Sequence, residues 1–86
     1  MANNKSESVL FKDLRLDLSI NEAREFVNQG KLKEAITFLA AFINNEESLD
    51  SFQRDKLVNW SLDYKRKRNL SKEDVEQFIE RIKKFF

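Results

Sequence analysis

The feature that most constrains this chain is the near-absence of residues that interrupt helices. Its 86 residues include no proline and a single glycine, Gly30. Proline breaks helices and glycine favours turns, so a chain almost free of both can form helix over most of its length. Eight phenylalanines, one tryptophan and one tyrosine supply large apolar side chains for a small core. The sequence therefore predicts an all-α protein, a compact bundle of three to four short antiparallel helices.

The length predicts one small domain. We expect a flexible tail over residues 1–7, which are mostly polar, and a single helical domain over residues 8–86. Residues 8–18 are ambiguous. Leu14, Leu16 and Leu18 alternate as in a strand, yet Phe11, Leu14 and Leu18 also fit one face of a helix. We favour a short helix or an extended arm packed on the body.

Capping signals predict where the helices of this domain begin and end. Three capping boxes are present: Ser19 with Glu22, Asp50 with Gln53, and Ser71 with Asp74. Gly30 suits the left-handed position that follows a helix. We therefore expect helices over residues 20–29, about 31–44, about 51–68, and from 72 toward residue 86. The last is the best defined, because its apolar residues share one face: Val75, Phe78, Ile79, Ile82 and Phe86.

The segment from Ala23 to Leu39 resembles a single tetratricopeptide-type helical hairpin. Ala23, Phe26, Ala35 and Leu39 fall at the small, aromatic, small and large positions of that repeat, and Gly30 falls at its turn. A shift by the repeat length brings no second copy into register. The resemblance therefore implies a tightly packed antiparallel helix pair and no repeat array.

The composition argues against catalysis and against metal binding. The chain has no histidine and no cysteine, which are the usual general bases, thiol nucleophiles and zinc ligands. A single glycine also leaves no glycine-rich phosphate loop. We expect a protein that is not an enzyme and that holds no cofactor and no metal.

The apolar segments are too short for a membrane protein. No apolar run approaches the roughly 20 residues that cross a bilayer, and the first residues lack the apolar region of a signal peptide. We expect a soluble, cytoplasmic protein with no membrane partner.

The net charge of +1 conceals an uneven distribution. Residues 1–50 carry six basic and nine acidic side chains, whereas residues 51–86 carry ten basic and six acidic ones. Such asymmetry can orient a partner, or let two copies meet head to tail. A small core also favours a symmetric dimer, in which segment 14–18 could exchange or pair. A homodimer is therefore kept as an alternative to a monomer.

The predicted third helix carries the main candidates for a binding surface. Its apolar face, which includes Trp60 and Tyr64, is wider than the stripe of an ordinary surface helix, so it is either buried between helices or open to a partner. Two phenylalanines at positions 85 and 86 could extend it. The predicted binding residues are four aromatic anchors and a basic rim: Trp60, Tyr64, Phe85 and Phe86, then Lys65, Arg66, Lys67 and Arg68.

These residues favour a small protein-binding regulator, such as an adaptor, an inhibitor, an antitoxin or an immunity-type factor. The alternative is a nucleic-acid-binding regulator, in which the basic run 65–68 holds phosphates and the nearby rings stack on bases. Carboxylates at positions 63, 73 and 74 dilute the positive field of that run. A protein partner is therefore the favoured interpretation.

Overall fold

Four α-helices make up most of residues 4–86, the part of the chain that the computed structural model describes, with side chains described from residue 11 onward. They are α1 (Asn4–Asn28), α2 (Leu32–Asn45), α3 (Ser51–Lys65) and α4 (Lys72–Lys83). No strand occurs among these residues, and none of the helices is both long enough and apolar enough to cross a bilayer. The predicted all-α bundle is confirmed.

The core lies where α2 and α4 meet the other helices. Each of these two helices packs against all three of its neighbours. The apolar face predicted for α4 and one face of α2 supply most of the buried side chains, which are Ala35, Ile36, Leu39 and Ile43 on α2, and Val75, Phe78, Ile79 and Ile82 on α4. Burial of these apolar side chains is the main force that holds the bundle together.

Helix α1 is continuous, and this corrects the predicted start of the bundle. It runs through Ser19 and Glu22, so the helix start predicted at this capping box is wrong. Backbone amides in a helix interior already have intrahelical partners, so none is left for Ser19 to cap. Residues 8–18 are helical, as one of the two predicted alternatives has it, and they form part of the longer helix α1. The predicted tail falls partly on residues 1–3, which lie outside the described residues, while residues 4–7 are within α1.

Gly30 ends α1 as predicted. Its φ of 77° lies in the left-handed region, where a side chain would be strained. The Lys31 amide donates to the Phe26 carbonyl at 2.8 Å, and the Gly30 amide donates to the Val27 carbonyl at 2.9 Å. These two bonds form a Schellman motif, which closes the helix and turns the chain into α2.

The two remaining capping boxes are confirmed at the starts of α3 and α4. The Asp50 and Ser71 side chains accept from the amides of Gln53 and Asp74, and both reciprocal bonds are present. Helix α3 ends at Lys65, three residues before the predicted end. The earlier end leaves residues 66–70 free to reverse the chain, so that Leu70 packs against the core before Ser71 caps α4.

Two arginines of α1 tie it to distant parts of the chain. Arg15 donates two hydrogen bonds to the Glu46 carboxylate at 3.0 and 2.7 Å, and Arg24 donates two to Glu76 at 3.0 and 2.8 Å. Glu46 is only 3% exposed and also accepts from the Ser48 hydroxyl. Hydrogen bonding from Arg15 lowers the pKa of Glu46, and hydrogen bonding from Arg24 lowers the pKa of Glu76. Both carboxylates are therefore held in the charged form.

Candidate functional site

A row of aromatic rings and cationic side chains lies along one side of α3. Phe52, Lys56 and Trp60 follow one another at intervals of four residues, which places them as neighbours along the helix. The Lys56 ammonium lies 5.7 Å from the centre of the Phe52 ring and 5.6 Å from that of the Trp60 ring. These are cation–π distances. Phe52 is 71% exposed, so most of its side chain is open to a partner.

Helix α4 and the residues after it complete this surface around Trp60. The Arg81 guanidinium lies 4.6 Å from the centre of the Trp60 ring. The Phe85 ring lies 6.0 Å from the same ring and is tilted by 50° to it. Trp60 is half-buried between these neighbours. We call this set the Trp60 surface: Phe52, Lys56, Trp60, Arg81 and Phe85.

A shallow depression of about 270 Å³ adjoins the Trp60 surface. It is lined by Trp60, Asp63, Tyr64, Lys67, Gln77 and Arg81. Larger cavities, of about 570, 560 and 300 Å³, lie beside the Arg24–Glu76 pair, against Phe26 and Phe38, and beside Gly30 and Leu32. Arg68 lines the last of these, and none of the predicted binding residues lines the other two. The depression is the cavity lined by two of the predicted aromatic anchors, Trp60 and Tyr64.

Tyr64, which the sequence pattern left open between core and partner contact, lies in the core. It is 6% exposed, and its ring centre is 5.5 Å from that of Phe78. Its hydroxyl donates to Oε1 of Gln77 on α4. Burial raises the pKa of the Tyr64 phenol, so the hydroxyl keeps its proton. Tyr64 therefore supports the Trp60 surface by holding α3 against α4.

The two C-terminal phenylalanines point to different neighbours. Phe85 contacts Trp60, as described above, whereas Phe86 stacks on Phe42 of α2 with ring centres 5.8 Å apart. The Lys12 ammonium of α1 lies 5.5 Å from the centre of the Phe86 ring. Of the four predicted aromatic anchors, the structure thus brings Trp60 and Phe85 together, places Tyr64 beneath them and sets Phe86 against α1 and α2.

The basic run at residues 65–68 follows the end of α3, and part of it is neutralised. Nζ of Lys67 donates to Oδ1 of Asp74 at 2.8 Å, and hydrogen bonding from Lys67 lowers the pKa of Asp74. Nη1 of Arg66 lies 3.8 Å from the Asp63 carboxylate. Lys65 is half-buried and Arg68 is exposed. Two of the four cations therefore face carboxylates of the same chain.

Sequence reasoning missed three residues of the Trp60 surface: Phe52, Lys56 and Arg81. The interval of four residues from Phe52 through Lys56 to Trp60 was an available signal for the first two. Arg81 had no such signal, because its place over the Trp60 ring depends on how α4 packs on α3.

A second exposed apolar feature lies on α1. Phe11, Leu14 and Leu18 are 56%, 54% and 60% exposed, although all three are large and apolar. The helical period places them on the side of α1 opposite to the buried Leu16 and Ile20. We call Phe11, Leu14 and Leu18 the outer stripe of α1.

Groups that could bind a metal ion or act as a nucleophile are few near the Trp60 surface and the outer stripe. Within residues 11–86, no group of three or more acidic side chains is placed to hold a metal ion. The Ser61 hydroxyl is buried in α3 and donates to the Val58 carbonyl at 2.6 Å. What the two surfaces offer is contact area and charge.

No known protein family, no curated protein and no solved structure matches this chain. The surfaces from which its function can be inferred are the Trp60 surface and the outer stripe of α1.

Proposed function

We propose that this chain is a small non-enzymatic protein of the cytoplasm that binds another protein and regulates it, as an adaptor, an inhibitor, an antitoxin or an immunity-type factor. The Trp60 surface is its docking site. One observation carries the proposal, namely that Lys56 and Arg81 both lie at cation–π distance from the ring of the half-buried Trp60, and that Lys56 also lies at such a distance from the exposed Phe52 ring.

The residue types of this surface are those that dominate binding energy at protein interfaces. Tryptophan and arginine are enriched among the few residues whose truncation costs most of an interface's affinity. The Trp60 ring already lies between Arg81 and Phe85, so it loses little conformational freedom when a partner covers it. A preordered aromatic anchor of this kind favours a protein partner with a matching apolar pocket.

The charge of the surface defines the partner further. Lys56 and Arg81 border the aromatic rings, and residues 51–86 carry ten basic and six acidic side chains. We infer that the partner presents carboxylates around an apolar depression. Charges of opposite sign would steer the encounter and raise the association rate more than the final affinity.

The residues predicted from the sequence take different parts in this proposal. Trp60 and Phe85 are the anchors, with Phe52 beside them. Lys65 remains part of the proposed positive rim, whereas Arg68 lies beside Gly30 and Leu32. Arg66 and Lys67 contribute less because each faces a carboxylate of its own chain. Tyr64 holds the two helices in place, and Phe86 fixes the end of the chain on Phe42.

A nucleic acid is the second candidate for the same surface. Cations next to exposed rings are the arrangement by which proteins bind single strands, since every base has a face that stacks. Phosphate binding would depend on the run at residues 65–68, and the Lys67–Asp74 and Arg66–Asp63 pairs reduce its free charge. The protein partner is therefore proposed first.

The test is affinity capture of the tagged chain from its native lysate, split into nuclease-treated and untreated halves. Captured material is read by mass spectrometry and by nucleic-acid staining. We expect a stoichiometric protein band that survives nuclease. Nucleic acid in the untreated half, with protein bands that disappear after nuclease, would instead establish the second candidate.

Two variants locate the contact. Phe52→Ser combined with Lys56→Gln removes an exposed ring and its cation, and we expect it to abolish capture of the partner. Leu62→Ser is the matched control, because Leu62 is also an exposed apolar residue of α3 and lies on another side of the helix. Equal capture by both variants would rule out the Trp60 surface as the docking site. Circular dichroism of each variant confirms that the helices persist.

A further inference from the structure

Helix α1 has two apolar rows on opposite sides, and the bundle covers only one of them. Leu16, Ile20 and Ala23 are buried against the bundle. The outer stripe, Phe11, Leu14 and Leu18, has the i, i+3, i+7 spacing of anchors on a helix that docks against another helix. A surface helix needs one apolar row to pack on its own core. The second row therefore requires a separate explanation.

The outer side of α1 is acidic around this row. By the helical period, the exposed carboxylates that border it are Asp17, Glu22 and Glu25. The ion pairs found among the described residues involve none of these three.

The described cations of α1 have other partners. Arg15 and Arg24 are bound by Glu46 and Glu76, and Lys12 lies over the Phe86 ring. From residue 11 onward, the positive charges of α1 are thus each paired with a carboxylate or a ring elsewhere in the chain. The carboxylates of Asp17, Glu22 and Glu25 leave a negative rim around the outer stripe.

We propose that the outer stripe of α1 is a second docking surface, whose occupant is a basic amphipathic helix of a partner protein. The apolar side of such a helix would cover Phe11, Leu14 and Leu18. Lysines and arginines flanking that side would meet the carboxylates of Asp17, Glu22 and their neighbours. The pairing matches both properties of the surface, an apolar centre and an acidic rim.

The same rim disfavours the two other occupants of an exposed apolar helix face. A second copy that paired through its own outer stripe would bring two acidic rims together, and like charges at close range are destabilising. An anionic membrane surface attracts basic amphipathic helices, whereas α1 presents carboxylates around its apolar row. A basic helix is the occupant that the charges favour.

This surface is distinct from the proposed docking site on α3 and α4. The Trp60 surface is aromatic and cationic, whereas the outer stripe consists of one phenylalanine and two leucines with an acidic rim. Two surfaces of opposite charge would allow one small chain to hold two partners at once. The proposal stands or falls independently of the function assigned to the Trp60 surface.

The test is a titration of the full, isotope-labelled chain with a synthetic amphipathic helix, followed by amide chemical shifts in NMR spectra. The probe is a peptide of about 18 residues, or five helical turns, with leucines on one side and lysines and arginines beside them. A matched peptide carries glutamate at every basic position. We expect the basic peptide to shift amides of residues 11–25 and to bind at least tenfold more tightly than the acidic one.

Paired variants test the contact itself. Leu14→Gln with Leu18→Gln should weaken binding of the basic peptide at least tenfold and leave the thermal unfolding curve nearly unchanged, because both side chains are already exposed. Leu62→Gln, at an exposed apolar residue outside both surfaces, is the control and should bind as the parent chain does. Asp17→Asn with Glu22→Gln should flatten the dependence of affinity on salt.

Four results would overturn the proposal. The first is a set of amide shifts confined to α3 and α4. The second is equal affinity of the chain for the basic and acidic peptides, or equal affinity of the parent chain and the Leu14/Leu18 double variant for the basic peptide. The third is a dimer in sedimentation that this double variant abolishes, which would show that a second copy covers the outer stripe. The fourth is that the parent chain binds vesicles of neutral and anionic phospholipids but does not bind the basic peptide, and that the same double variant no longer binds the vesicles.

Discussion

Helices α1 and α4 use their apolar residues in opposite ways. Helix α4 has one apolar row, and Val75, Phe78, Ile79 and Ile82 in that row are all fully buried. Helix α1 divides its apolar residues between a buried row and the exposed outer stripe. The comparison shows that a helix can contribute to the core while part of its apolar surface stays exposed. A partner is expected at the exposed part.

The two helices are also attached to the bundle by different interactions. Phe78 of α4 is fully buried and lies against Tyr64 of α3. Helix α1 supplements its buried row with two bidentate ion pairs, Arg15–Glu46 and Arg24–Glu76, and α4 shares only the second, because Glu76 lies on α4. Apolar burial is insensitive to pH, whereas a carboxylate pair fails in acid. The attachment of α1 should therefore be the more sensitive of the two to solution conditions.

The largest effect is expected from truncating the row of α4. Phe78→Ala removes a fully buried ring and should lower the free energy of unfolding by about 3–5 kcal/mol, because it leaves a cavity. Urea unfolding followed by circular dichroism measures the loss. Phe78→Leu is the milder companion and should cost clearly less. A loss below about 1 kcal/mol for the alanine variant would show that the row of α4 does not dominate stability.

An intermediate effect is expected where α1 is attached by charge. Glu46 is buried, and its carboxylate accepts two hydrogen bonds from Arg15, so Glu46→Gln should cost about 1.5–3 kcal/mol at pH 7. The pKa of Glu46 is lower in the folded chain than its ordinary value. The stability that the charged Glu46 contributes is therefore fully present at pH values above its ordinary pKa. It is lost as the pH falls through the lower pKa that Glu46 has in the folded chain.

Urea unfolding at pH 7 and in mild acid separates the two parts of this prediction. The Glu46→Gln variant should lose less stability in acid than the parent chain, while Glu76 retains its own acid-sensitive part. Glu47→Gln is the control, because Glu47 is the exposed neighbour. If Glu46→Gln and the parent chain lose the same stability on acidification, the Arg15–Glu46 pair does not hold α1 in place.

The same contrast explains how much of the fold the sequence could predict. Helix α4 was predictable because its cap at Ser71 and its single apolar row agree. Helix α1 was not predictable as one helix, because the residues of its buried row and of its exposed outer stripe alternate along the sequence. Leu16 points inward while Leu14 and Leu18 point outward, and the resulting alternation imitates a strand. A periodicity argument assumes one buried face, and that assumption fails for a helix with two.

The binding surface was predictable only in part, for a related reason. The sequence predicts Trp60, Phe85 and Phe86 as aromatic anchors, and the structure places the ring centres of Trp60 and Phe85 6.0 Å apart. The Phe86 ring stacks on Phe42 of α2. Which ring meets which depends on how α4 crosses α3 and α2, and local spacing carries no information on that crossing.

The smallest effect comes from comparing two serines that carry the same capping signature. Ser71 caps α4, so Ser71→Ala should cost about 1 kcal/mol in urea unfolding. Ser19 lies inside α1, where alanine is the better helix former, so Ser19→Ala should change stability by less than about 0.5 kcal/mol, toward higher stability. An equal cost for both would mean that α1 begins at Ser19 and that residues 8–18 are a separate arm. The outer stripe would then no longer be presented on a continuous helix, and its role as a docking surface would lose its structural basis.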